Sequence, residues 1–65
     1  MQAYRCYLMS GESIHGVQIL ECAGDTEIVV QAAALLADHP EHQKIEVWDG
    51  ARLVARVPRQ PKSDV

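Results

Sequence analysis

The chain contains no phenylalanine and a single tryptophan, Trp48, with Tyr4 and Tyr7 as its only tyrosines. An aromatic core is therefore excluded, and aliphatic side chains must carry most of the burial. No apolar stretch approaches the roughly 18 to 20 residues needed to span a bilayer. No basic segment followed by an apolar run opens the chain, so neither a membrane helix nor a signal peptide is expected, and a cytoplasmic location follows as the expectation. The four glycines are dispersed over Gly11, Gly16, Gly24 and Gly50, which leaves no glycine-rich phosphate loop. No lysine or arginine lies between Arg5 and Lys44, whereas Arg52, Arg56, Arg59 and Lys62 crowd the C-terminal end. A net charge of -3 argues against a dedicated nucleic-acid binder, although one end is locally basic.

What is present fits one small globular domain. A chain of 65 residues buries only about 60% of the surface its unfolded form exposes, so it gains from a staple or a partner. Its hydrophobic content of 48% is too high for a disordered chain.

Two segments, QAYRCYLM (2–9) and IHGVQIL (14–20), read as strands, and Gly11-Glu12 between them suits a two-residue type II′ turn, which places glycine first. That turn sets Leu8 against His15, Cys6 against Val17 and Tyr4 against Ile19 on the core face. Met9, Ile14, Tyr7, Arg5 and Leu20 fall on the other face. After Gly24, Asp25 is placed to accept from the free backbone N–H groups of a helix running to about Asp38, with Glu27 in its first turn and Pro40 stopping it. Ile28, Val29, Ala32, Leu35, Leu36 and His39 share its apolar side. In the second hairpin, a type I turn with Gly50 left-handed in a G1 bulge pairs Val47 with Ala51, Ile45 with Leu53 and Glu46 with Arg52. Trp48, Arg52, Val54 and Arg56 then face away from the helix.

An α+β fold follows: a two-layer ββαββ domain over residues 1–57, with a four-stranded antiparallel sheet in the order 2-1-3-4 and one helix on one face. Residues 58–65, PRQPKSDV, hold two of the three prolines and are expected to form a disordered C-terminal tail. The segment DTEIVVQAAALLADHPEHQKIEVWDGARLVARV resembles the small uncharacterised proteins of soil alphaproteobacteria, in which a short helix ending in Leu-Leu and His-Pro leads into a WDG hairpin. The resemblance covers about half of the chain. It implies a domain of unknown function with strands around one helix, and it brings no catalytic residues.

Reactive constellations are sparse. Cys6 and Cys22 stand too far apart in the expected hairpin for a disulfide, which needs Cα atoms within about 7 Å. The spacing of His39, Glu41 and His42 permits metal ligation, with His15 or Cys22 as a further ligand. The paired Cys or His motifs of structural zinc sites are missing, however, so no cofactor or metal is expected. His39 instead suits a cap on the helix C-terminus. A one-helix domain offers little concave volume, and neither an enzyme nor a small-molecule substrate is expected.

The outer sheet face is the remaining candidate. Tyr7, Met9, Ile14, Leu20, Trp48 and Val54, flanked by Arg5, Arg52 and Arg56, would form an apolar patch with the residue types enriched at protein interfaces. The expected function is a small non-enzymatic interaction module that forms a homodimer or docks on a protein partner through this face. The alternative is a nucleic-acid-binding regulator that uses the same arginines and aromatic rings.

Overall fold

A computed structural model of the chain describes residues 1–59. Strands β1 (Gln2–Ser10) and β2 (Ser13–Cys22) form one hairpin, helix α1 (Asp25–Ala37) follows, and β3 (Lys44–Asp49) and β4 (Arg52–Pro58) form a second. The sheet order is β2-β1-β3-β4 with every pairing antiparallel, so the α+β ββαββ architecture expected from the sequence is the one observed. The helix carries the chain from the β2 edge over the sheet to the far side of β1, which is why β1 and β3 become central.

Helix α1 buries Ile28, Ala32 and Leu36, spaced one turn apart, against Tyr4, Cys6 and Leu8 of β1 and Ile45, Val47 and Val57 of the second hairpin. Val30 on the opposite side is 66% exposed. Gly24, not Asp25, is the N-cap. Glu27 reaches back to accept from the backbone N–H of Ala23, the residue before the N-cap, at 3.2 Å. This frees the Asp25 carboxylate for tertiary contacts. It accepts from the Tyr4 hydroxyl at 2.8 Å and receives both terminal nitrogens of Arg52 at 3.3 and 3.4 Å.

The helix C-terminus also departs from expectation. Asp38 is the C-cap, and the His39 ring turns away towards Glu41. The cap falls to Arg59, whose guanidinium donates to the carbonyls of Leu36 at 3.0 Å, His42 at 2.9 Å, and His39. Its backbone N–H donates to Gln43 O at 2.8 Å. Pro58 closes β4, so residues 58 and 59, which the sequence assigned to the tail, are part of the fold. The remainder of that expected tail lies outside the described residues.

Both turns have the φ signature of type II′. Gly11 and Gly50 sit at φ 61° and 62°, and no other described residue has positive φ. In the second hairpin the loop is thus Gly50-Ala51, and Asp49 pairs with Arg52. The expected left-handed Gly50 is present, but the G1-bulge register built on it is not: Val47 pairs with Ala55, Ile45 with Val57 and Glu46 with Arg56. Each hairpin then contains one unpaired residue. His15 is skipped between Ile14 and Gly16, and Val54 between Leu53 and Ala55. A bulge of this kind inverts the facing of everything beyond it. In β2 the partners of Leu8, Cys6 and Tyr4 become Gly16, Gln18 and Leu20.

The two hairpins are copies of one design. Over residues 5–19, each residue of the first corresponds to one 39 positions later, Gly11 to Gly50, His15 to Val54 and Tyr7 to Glu46, with the same turn and the same bulge position. Pairing between β1 and β3 obeys the same relation: Arg5–Trp48 mirrors Met9–Lys44, and Cys6–Val47 mirrors Leu8–Ile45. A pseudo-two-fold axis therefore passes through the sheet between Tyr7 and Glu46. The sequence shows no internal repeat, because backbone geometry rather than residue identity is what recurs.

Candidate functional site

Cross-strand partners share a face, so the registers define the outer side of the sheet row by row. Ile14, Met9, Lys44 and Pro58 make one row; Val17, Tyr7, Glu46 and Arg56 the next; Ile19, Arg5, Trp48 and Leu53 the third. Six of the nine residues singled out from the sequence stand here: Arg5, Tyr7, Met9, Ile14, Trp48 and Arg56. Three do not. Leu20 and Val54 pack against the core cluster, and Arg52 is held on the helix side by Asp25 and, at 3.2 Å, by Asp49. The physical reason is the bulge in β2 for Leu20, and the turn type and bulge in the second hairpin for Arg52 and Val54.

The bulges bring other residues onto the face. Val17 and Ile19, expected in the core, are 52% and 59% exposed, and Ile14 is 59% exposed. Leu53 joins them beside Trp48. A periodic pattern could not have found these, since Val17 and Ile19 fit a core strand equally well.

The face has two unlike halves. Over β2 and β1 it is mainly apolar, with Ile14, Val17 and Ile19 beside Tyr7 and Met9, and the charged Arg5 and Glu21 stand towards one end. Met9 is only 7% exposed and lies outside the main core cluster, so it is covered by its neighbours on this side. Over β3 and β4 it is largely charged and internally paired. Glu46 accepts from Arg56 Nε at 3.3 Å and from the Trp48 indole N–H at 3.3 Å. The expected Glu46–Arg52 pair is replaced by this Glu46–Arg56 pair. Trp48 is half-buried at the border of the halves, and with Tyr7, Ile14, Glu46, Gly50 and Ala51 it lines a shallow hollow of about 410 Å³.

A second hollow, of about 360 Å³, runs between the helix and β4, bounded by Val29, Ala33, Leu36, Ala55 and Pro58 with Arg59 at one end. Apart from Arg56 and Arg59 its lining is apolar, and it presents no nucleophile paired with a base. Cys6 and Cys22 are free and buried. Burial pushes both thiols up, and the nearby Glu27 carboxylate adds to the effect at Cys22. Raised values keep them protonated and poorly nucleophilic. Among the described residues, no helix is long and apolar enough to cross a membrane. The chain matches no family model, and comparisons with curated proteins and with solved structures give no match.

Proposed function

We propose that this protein is a small non-enzymatic interaction module of the cytoplasm that pairs with a second copy of itself through the outer sheet face. The observation that carries the reading is the row of Ile14, Val17 and Ile19, each more than half exposed on one face of one strand, next to Tyr7 and Met9. Branched aliphatic side chains held in rigid extended backbone lose little entropy on association, and a contiguous patch of them favours burial against a partner. The patch is apolar rather than charged, so it suits a like surface. The domain measures 37 by 26 Å in its larger dimensions, room enough for the roughly 800 Å² per partner of a standard interface. Two free, buried thiols agree with a reducing compartment.

The nucleic-acid reading loses support in the same registers. It needs Arg5, Arg52 and Arg56 together, and Arg52 is engaged by Asp25 while Arg56 is engaged by Glu46. Replacing Ile19 by Lys tests the proposal. The exposed site tolerates the charge, so far-ultraviolet circular dichroism should be unchanged. A mass that falls from dimer to monomer supports the interface, and an unchanged dimer refutes it.

A further inference from the structure

All three histidines of the chain converge at one corner of the molecule, although they come from a strand bulge and from the turn after the helix. His39 Nδ1 lies 3.3 Å and His42 Nε2 3.6 Å from the same oxygen, Glu41 Oε2. These ligand atoms all fall within 4.8 Å of one another. Zinc bonds nitrogen and carboxylate oxygen at about 2.0 to 2.2 Å, which sets neighbouring ligand atoms of a tetrahedron about 3.3 to 3.5 Å apart; the two pairs to Glu41 lie close to that spacing, and side-chain rotation must draw the two imidazole nitrogens together from within 4.8 Å. We infer that His39, Glu41 and His42 form a three-ligand site for a divalent transition metal of the zinc class, with the fourth position left open.

Two independent features support a built site rather than a chance cluster. The first is the His42 ring. Its side chain is only 12% exposed, Nδ1 is buried with no partner, and Nε2 stands too far from Glu41 for a hydrogen bond. A buried imidazole normally finds a partner for at least one nitrogen. Nε2, the nitrogen facing Glu41 and His39, makes no hydrogen bond among the described residues and is the atom that a cation seated between the three would engage, whereas Nδ1 takes no part in the site. His15 packs edge-on against this ring, centroids 5.9 Å apart, and restricts its rotation.

The second feature is the backbone beneath the ligands. Pro40 follows the helix end, and the His42 N–H donates to His39 O at 3.0 Å to close a tight turn. Arg59 holds the carbonyls of His39 and His42, and Ser10 Oγ donates to Glu41 O at 3.1 Å. The main chain of every proposed ligand is thus pinned from a different part of the fold, the arrangement that positions ligands before a metal arrives. The set of two imidazoles and one carboxylate is that of open zinc sites, and it excludes hard oxygen-seeking ions as preferred occupants.

Calorimetric titration of the full chain with Zn²⁺, in parallel with His39→Ala and Glu41→Gln, tests the site. Both substitutions fall on side chains with access to solvent, and circular dichroism checks that each variant folds. One ion per chain with micromolar or tighter affinity, weakened at least about tenfold in each variant, is the expected result. Co²⁺ should give the intense visible bands of a tetrahedral site, lost in both variants. Binding weaker than about 1 mM, or equal affinity in the wild type and both variants, overturns the inference.

Discussion

The Tyr4 hydroxyl donates a 2.8 Å hydrogen bond to Asp25, joining the middle of the sheet to the first residue of the helix. Burial, followed by this bond to a carboxylate, pushes the Tyr4 phenol up to about 12. The same bond and the Arg52 guanidinium hold Asp25 below the ordinary carboxylate value.

The pH consequences have opposite signs. A phenol whose folded value is raised above its ordinary 10.0 contributes stability that is complete below that pH and is lost as pH climbs towards 12. Asp25, with a lowered value, contributes above its ordinary 3.8 and loses that contribution as pH falls through the folded value. Melting temperature against pH should therefore decline at the alkaline end, and Tyr4→Phe should remove that component. An unchanged alkaline limb in Tyr4→Phe would contradict the assignment.

Gly50 at φ 62° has nothing within 4 Å of the place where a Cβ would stand. Its requirement is therefore purely one of backbone conformation. Gly50→Ala should cost about 1 kcal/mol, whereas D-alanine at the same position should be neutral or stabilising. Equal effects of the two enantiomers on chemical denaturation would show that the turn is not as described.

Arg59 gathers carbonyls from the helix end and the following turn. Charged donors to partly buried carbonyls contribute more than neutral ones, so Arg59→Ala should destabilise by about 1 to 3 kcal/mol. Truncation after Pro58 should cost a similar amount. A chain ending there with full stability would make Arg59 dispensable.

Mild oxidation should leave both thiols free. The observed register places Cys22 opposite Gln2, about 13 Å along the sheet from Cys6 at roughly 3.3 Å per residue. Thiol reagents should react slowly with the folded chain and readily after denaturation. Loss of two hydrogens by mass in the folded protein would contradict the pairing.

How much of this was legible in the sequence depends on which physical signal was being read. Element order, the helix face of Ile28, Ala32 and Leu36, and the two turn glycines follow from periodicity and from the steric freedom of glycine. The bulges at His15 and Val54 do not. In β2 the unbulged register buries Val17 and Ile19, the real one buries Cys22 and partly buries Leu20, and both alternations are apolar enough to pass. In the second hairpin, the glycine-first turn that serves Gly11-Glu12 also serves Gly50-Ala51, and it yields the Asp49–Arg52 pair directly. Only the extra residue at Val54 restores Ile45 to Val57 beyond it. Arg59 escaped notice because its role lies in long-range contacts from a proline-flanked segment. The outer face was expected to carry an apolar patch across both hairpins; in the structure Val17 and Ile19 take the place of Leu20 and Val54, so the exposed apolar residues gather over β2 and β1.

The direct test of self-association is the mass of the wild-type chain in solution, measured by light scattering at low and high salt. The account predicts twice the 7.2 kDa of one chain, with association undiminished or strengthened as salt rises, because apolar burial is not screened. A 7.2 kDa particle at concentrations of about 100 µM, or a dimer that dissociates steeply with added salt, would contradict it.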